Sequence, residues 1–410
     1  MAVVKVDQLV QGVVLAEDVL DMNARLLLAK GQEIEDKHIR VLKMWGIFEV
    51  QVDGLEEDAG TDMDPAFDSE QLEAVSADVR RIFGNVDIQH PAVREVVRLV
   101  IEYRLQHPEN RFGEGAFKPG DQAPVANARD ILAKIDRLDV KLPEVPSLVF
   151  QLNEVIADPM SAAGDIAGVV NKSPSLTATL LKIVNSAFYG FRSKIDSISR
   201  AVMMIGSKEV SNLALGITIM ETFKDIPKQV MDVSSFLEHN LAVGTVARIL
   251  AAHGNLANTE QLFVAGMLHD IGRLVLCKYF PKVAVLTFAE AAGSGRCLLH
   301  TEKELLGLTH VHLGKRLLQK WKLPYTLENN VYYHHNPSAS PHPEMGSALQ
   351  MADMIVHGMG VGTSGERVIP AFDVKAWERL KLSTGAFSTI LHQAANQMET
   401  FREALIKGKR

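Results

Sequence analysis

Within LFVAGMLHDIGRLVL (262–276), which reads as one helix, the adjacent pair His269 and Asp270 interrupts an otherwise almost wholly apolar run. A carboxylate there is expensive to bury without a countercharge. An imidazole beside it resolves that cost most simply when both coordinate a metal cation. Alone the pair carries little weight, because a core histidine next to a capping or ion-paired aspartate gives the same two letters. Other polar residues on apolar helix faces add to it. His239 lies in FLEHNLAVGTVARIL, where Leu241, Val243, Val246 and Ile249 supply the core stripe; its plain alternative is a surface position near a helix start. In GLTHVHLGKRLLQKW, Leu313, Leu317 and Leu318 mark the buried face. His310 falls on or near that face, and His312 is displaced from it. His334 and His335 follow LENNVYY and precede Asn336 and Pro337, which end that helix; two such imidazoles can serve two ions, or one ion and its supporting shell. Asp353 is the only acidic residue in SALQMADMIVHG. Five imidazoles and two carboxylates on successive helices form a mixed N/O set for one or two divalent transition-metal ions. It suits Fe, Mn, Zn, Co or Ni better than Mg or Ca.

The elements that must carry these residues read as helices. From Leu142 onward, amphipathic segments at 144–157, 161–170, 174–186, 197–205 and 207–223 follow one another between Pro and Gly. Ser173 before Pro174 reads as a helix start, as does DVSSFLEHN ahead of a helix over 235–253. Residues 1–55 differ. Strand-like runs at 3–6, 12–20, 25–31 and 47–52 surround a helical stripe of Ile39, Leu42 and Met44 or Trp45 that stops at Gly46. The expected fold is therefore mainly α: a small α+β module (1–55), an acidic linker and helical connector (56–125), and an all-helical domain (126–410). Within the connector, NRFGEGAFKPGDQAP (110–124) is a loop rich in Gly and Pro, leading to a helix over about 127–137.

Composition removes several function classes. With 47% hydrophobic and 23% charged residues the chain is an ordinary globular one, and a net charge of −7 gives no nucleic-acid footprint. Cys277 and Cys297 are too few for a disulfide framework and are not in CxxC spacing, so a reducing, cytoplasmic setting is expected. No leader and no apolar run long enough to span a bilayer is expected, so neither membrane nor nucleic acid is expected as a partner.

The order H…HD…H…HH…D resembles the HD superfamily of metal-dependent phosphohydrolases, and AGMLHDIGRLVL is similar to a segment of the HD-GYP cyclic di-GMP phosphodiesterases. Residues from about 138 to 350 resemble the HDOD domain, a bacterial signalling relative. The carrying phrases are LPEVPSLVFQLNEVIADP, IAGVVNKSPSLTATLLKIVNSAFYGF, SISRAVMMIGSKEVSNLALG, THVHLGKRLLQKWKLP and YYHHNP. Residues 3–52 are similar to a small domain that precedes some HD-GYP proteins. The HDOD resemblance implies an all-helical core over 138–350 followed by C-terminal helices over 351–410. The HD resemblance implies that His239, His269, Asp270 and Asp353 form a primary metal site, with Asp270 bridging to a second ion and His310, His334 and His335 completing it. Arg273 stands where HD-GYP enzymes have Lys, keeping a charge that could pair with phosphate but not the geometry. The histidine pair is followed by NPSASPHPEM without a GYP phrase, so cyclic di-GMP hydrolysis is not supported.

Two readings follow, beside a third in which the chain is a metal-free helical scaffold. One is a signalling output or regulatory module, with a protein partner or a nucleotide or phosphoester ligand and self-association compatible with it. The other is an active phosphohydrolase in which Arg273 neutralises phosphate and His310 or His335 assists proton transfer. Other features read as bland. Met203, Met204, Met220 and Met231 are expected to fill the core, and HGMGVGTSGE (357–366) to be a flexible lid or connector. NSAFYG reads as a helix end with Gly190 as its cap, and His253, His300, His342 and His392 as surface or capping residues.

Overall fold

The computed structural model describes residues 2–6, 9, 11–20, 26–35, 37–39, 42, 49–53, 69–108, 142, 144–158, 160–185, 189, 191, 193–257 and 259–401. The expected loop at 110–124, the helix near 127–137 and the caps at Gly46 and Gly190 lie outside these residues.

The amino-terminal module has its strands where alternation placed them. β1 (Ala2–Lys5) and β2 (Val14–Leu15) pair antiparallel with opposite edges of β5 (Glu49–Asp53), and β3 (Val19–Leu20) pairs with β4 (Leu26–Leu28). On β5, Val50 and Val52 point into a small core with Leu15, Ile34 and Leu42, while Asp53 is exposed. That is the period-two pattern of a half-buried strand.

The remaining regular elements among the described residues are helices. They form α1 (Ser69–Ile82), α2 (Pro91–Gln106), α3 (Ser147–Ala157), α4 (Ala163–Val170), α5 (Pro174–Val184), α6 (Ile198–Ile205), α7 (Ser207–Glu221), α8 (Val233–His253), α9 (Thr259–Leu268) and α10 (Ile271–Tyr279). Then come α11 (Pro281–Ser294), α12 (Leu298–Leu306), α13 (His310–Lys320), α14 (Tyr325–Tyr333), α15 (Pro343–Met359), α16 (Lys375–Leu380) and α17 (Ala386–Phe401). Ser173 caps α5 by accepting from the Leu176 amide, and Asp232 caps α8 by accepting from Ser234 and Ser235. None of the described helices is long and apolar enough to cross a membrane.

One continuous core runs through this lobe and includes α1 and α2, because Val79, Ile82, Phe83, Val96 and Val100 pack with its buried residues. The segment read as a connector thus supplies two core helices. α8 is the axis, packed against α9, α15 and α17. Gly244 of α8 meets Gly266 of α9, where a Cβ on either would overlap the other helix's backbone. A second tight crossing joins α10 to α13, since a Cβ at Gly272 would overlap the His310 carbonyl. Only glycine permits such approaches.

Three expectations change. The run 262–276 is two helices, not one: α9 packs on α8 while α10 packs on α13, and the chain redirects between them at His269 and Asp270. Met203 and Met204 are exposed, at 74% and 49%, because α6 is a surface helix whose core face is Ile198, Ala201 and Val202; Met220 and Met231 do fill the core. The glycine-rich run after α15 is a packed strap over α8. Gly362 sits at φ +61° against the Ser235 carbonyl and the His239 amide, and the Thr363 amide donates to Ser235 at 3.1 Å.

Candidate metal centre

The seven candidate donors converge from five elements. α8 contributes His239, the α9–α10 junction His269 and Asp270, α13 His310, the end of α14 His334 and His335, and α15 Asp353. Donor atoms of Asp270, His310, His334 and His335 lie within 4.8 Å of one another, as do those of His239, His269 and Asp270, and those of His269, His334 and Asp353. Asp270 belongs to two groups.

Local backbone chemistry aims the imidazoles. His269 follows the last residue of α9 and His334 the last of α14, where helices leave carbonyls without intrahelical donors. Each ring uses Nδ1–H to satisfy the carbonyl three residues back, Gly266 for His269 and Val331 for His334, both at 2.7 Å. Each therefore presents Nε2 to the centre, and neither of these buried Nε2 atoms has a hydrogen-bond partner; nor has Asp270 Oδ1. His310 is fixed likewise, its Nδ1–H donating to Glu302 Oε2 at 2.7 Å, which also accepts from the His310 amide at 2.8 Å. An imidazole whose far nitrogen is anchored to a carbonyl or carboxylate is the usual arrangement at a metal.

The donor spacings suit a cation. His310 Nε2 lies 3.0 Å from Asp270 Oδ1, His239 Nε2 3.2 Å from Asp353 Oδ1, and His269 Nε2 3.4 Å from Asp270 Oδ2 and 3.6 Å from Asp353 Oδ1. His335 Nε2 and His310 Nε2 are 3.2 Å apart. Bonds of about 2.1 Å to one ion give donor–donor edges of roughly 3.0 Å in an octahedron and roughly 3.4 Å in a tetrahedron. The residues thus fit the ion implied by the family resemblance.

Electrostatics agree. Burial opposes charge throughout, yet Arg273 and neighbouring histidines hold the Asp270 carboxyl well below its usual range, and His239 and His269 do so for Asp353. Burial is outweighed at His269 by Asp270 and Asp353, which push its imidazolium up to about 10. Burial and the cationic neighbours drive His334 down to about 3 and His335 well below its ordinary value, leaving neutral rings that can donate a lone pair. Asp353 and His335 are partly exposed, so the centre reaches solvent on their side.

Arg273 does not face that side. It is 1% exposed and donates to Asp270 Oδ2, to Ser364 Oγ at 2.8 Å and to Glu366 Oε2 at 3.4 Å, with Glu302 Oε1 at 3.5 Å. One i,i+3 step along α10 lets it hold Asp270 Oδ2 while Oδ1 faces His310 and His334. His312 turns away, its Nδ1 accepting from the Thr309 amide to cap α13, so His310 is the residue that joins the cluster. His253, His300, His342 and His392 are exposed.

The sequence reading missed four participants. Glu302, Ser364 and Glu366 carry no spacing signal, since they come from α12 and the strap. His357 had one: it follows Asp353 by four residues on α15, and its donor atom lies within 4.8 Å of those of His239 and Asp353.

Residues 142–337 match the HDOD domain family, a span that holds every candidate donor of the seven except Asp353. An uncharacterized protein of Treponema pallidum (strain Nichols) is 24% identical over 273 residues, covering 65% of this chain; the chain spans about half of that protein's length, 52%. Among solved structures, an HDOD domain protein of unknown function from Geobacter sulfurreducens superposes with a TM-score of 0.57 at 21% identity, covering 68% of this chain and 100% of that one. A protein from Shewanella amazonensis SB2B, provisionally named a phosphohydrolase, gives 0.55 at 21% identity over 67% of this chain and 98% of its own. A provisionally named signal transduction protein from Marinobacter aquaeolei VT8 gives 0.50 at 21% identity over 80% of this chain and 68% of its own. At these identities the likeness is one of fold.

Proposed function

We propose, from the premise that residues 142–337 are an HDOD domain, that this chain is a signal-transduction module whose helical lobe holds two divalent transition-metal ions. His239, His269, Asp270 and Asp353 would hold the first, and Asp270, His310, His334 and His335 the second. The observation that carries the reading is the shared Asp270, among whose neighbours the buried His269 and His334 Nε2 atoms, like Asp270 Oδ1 itself, have no hydrogen-bond partner. Leaving such atoms without a cation costs about 1–3 kcal/mol each. Arg273 positions Asp270 from behind, and Glu302 fixes His310. The ions would supply charge to join five elements and, where substrate reaches them, water activation and a clamp for phosphoryl oxygens.

Elemental analysis of protein purified without added metal, beside His269→Ala and Asp270→Ala, tests this. Wild type should carry Fe, Mn, Zn, Co or Ni, and both variants should lose most of it. Metal-free wild type that stays metal-free after incubation with Mn or Zn would end the reading.

The partial exposure of Asp353 and His335 supports a second reading, phosphohydrolysis on a nucleotide or other phosphoester. Arg273 counts against it as a phosphate partner, because three carboxylates and Ser364 surround its guanidinium. Turnover by Mn- or Fe-loaded protein across a phosphatase and cyclic-dinucleotide panel would select this reading; none would leave the module.

A further inference from the structure

We infer that His357 is an additional ligand of the cation held by His239 and Asp353. The inference rests on the metal-centre reading above and extends it to a residue outside the seven. His357 is 4% exposed and lies one turn after Asp353, so the two project from the same face of α15. Its ring stands edge-on to that of His239, with centroids 6.0 Å apart and planes at 87°. Donor atoms of His239, Asp353 and His357 lie within 4.8 Å of one another.

His239 also groups with His269 and Asp270, while His357 belongs to neither that group nor the one of Asp270, His310, His334 and His335. His357 therefore adds a donor on the His239 and Asp353 side of the centre and bears on one equivalent of metal only.

The test is a Co(II) titration of the full chain, with bound equivalents counted by elemental analysis. Wild type should take up about two equivalents. His357→Ala should bind one of them at least about tenfold more weakly, with the other unchanged. His357→Gln keeps hydrogen-bonding capacity but replaces the imidazole by an amide oxygen, a poorer donor to cobalt, and should weaken binding in the same direction as His357→Ala. His357→Cys should add a sulfur-to-cobalt charge-transfer absorption in the near ultraviolet. Wild-type affinity in His357→Gln would assign the residue a hydrogen-bonding role and overturn the inference. So would wild-type affinity for both equivalents in His357→Ala. Should His357→Ala fail to fold, His357→Gln and His357→Cys decide alone. A wild-type chain that binds cobalt with His357 indifferent defeats only this inference; one that binds none defeats the metal centre as well.

Discussion

Replacing Arg273 with Met tests whether the lobe is built around a charge balance. Met keeps much of the buried aliphatic stem, so the loss is mainly of the guanidinium. That group is the cation among Asp270, Glu302 and Glu366, all at most 3% exposed, and it donates to Asp270, Ser364 and Glu366. Its removal strands those carboxylates in the core. Breaking a buried ion pair by deleting one partner costs about 3–5 kcal/mol. In a lobe this large that lowers the melting temperature by roughly 6–10 °C. The assay is thermal unfolding followed by circular dichroism, with chelator present so that bound cations cannot compensate. In the Arg273→Met background, Asp270→Asn should recover about 1 kcal/mol or more, because it removes the carboxylate that Arg273 holds ionised. A loss below about 1 kcal/mol for Arg273→Met, or no recovery in the double variant, would refute the reasoning.

Glu302→Gln should weaken one metal equivalent by about 10–100-fold while leaving total capacity intact at high metal, since it loosens His310 without removing a donor; competition with a chromophoric chelator measures this. Burial is the largest influence on Glu366 and raises its carboxyl from 4.5 to about 7. The folded state then binds a proton that the unfolded state has released, so stability is full below about pH 4.5 and declines toward pH 7. Glu366→Gln should remove up to about 3 kcal/mol of that decline, read from urea midpoints across the window. Gly266→Ala puts a Cβ into the Gly244 backbone. It should cost about 1–3 kcal/mol and lower metal uptake together with the melting temperature, since the α8–α9 crossing sets His239 beside His269.

Much of the fold was legible because its signals are local. Two-residue alternation marked the strands of residues 2–53, Ser173 and Asp232 announced helix starts, and apolar stripes marked α7 and α8. Each of these depends on neighbours a few positions away. The pair His269–Asp270 and the lone acid Asp353 could also be singled out, because a charge in an apolar run is costly wherever the chain goes. What the sequence alone left open was which atoms meet. The break between α9 and α10, the anchoring of His310 by Glu302, and the capture of Arg273 by Glu366 join positions from 8 to 93 residues apart. No periodicity encodes them. Tertiary packing decided them, through glycine-permitted helix crossings that bring separate chain segments within hydrogen-bonding reach and exclude the water that would otherwise have satisfied those charges.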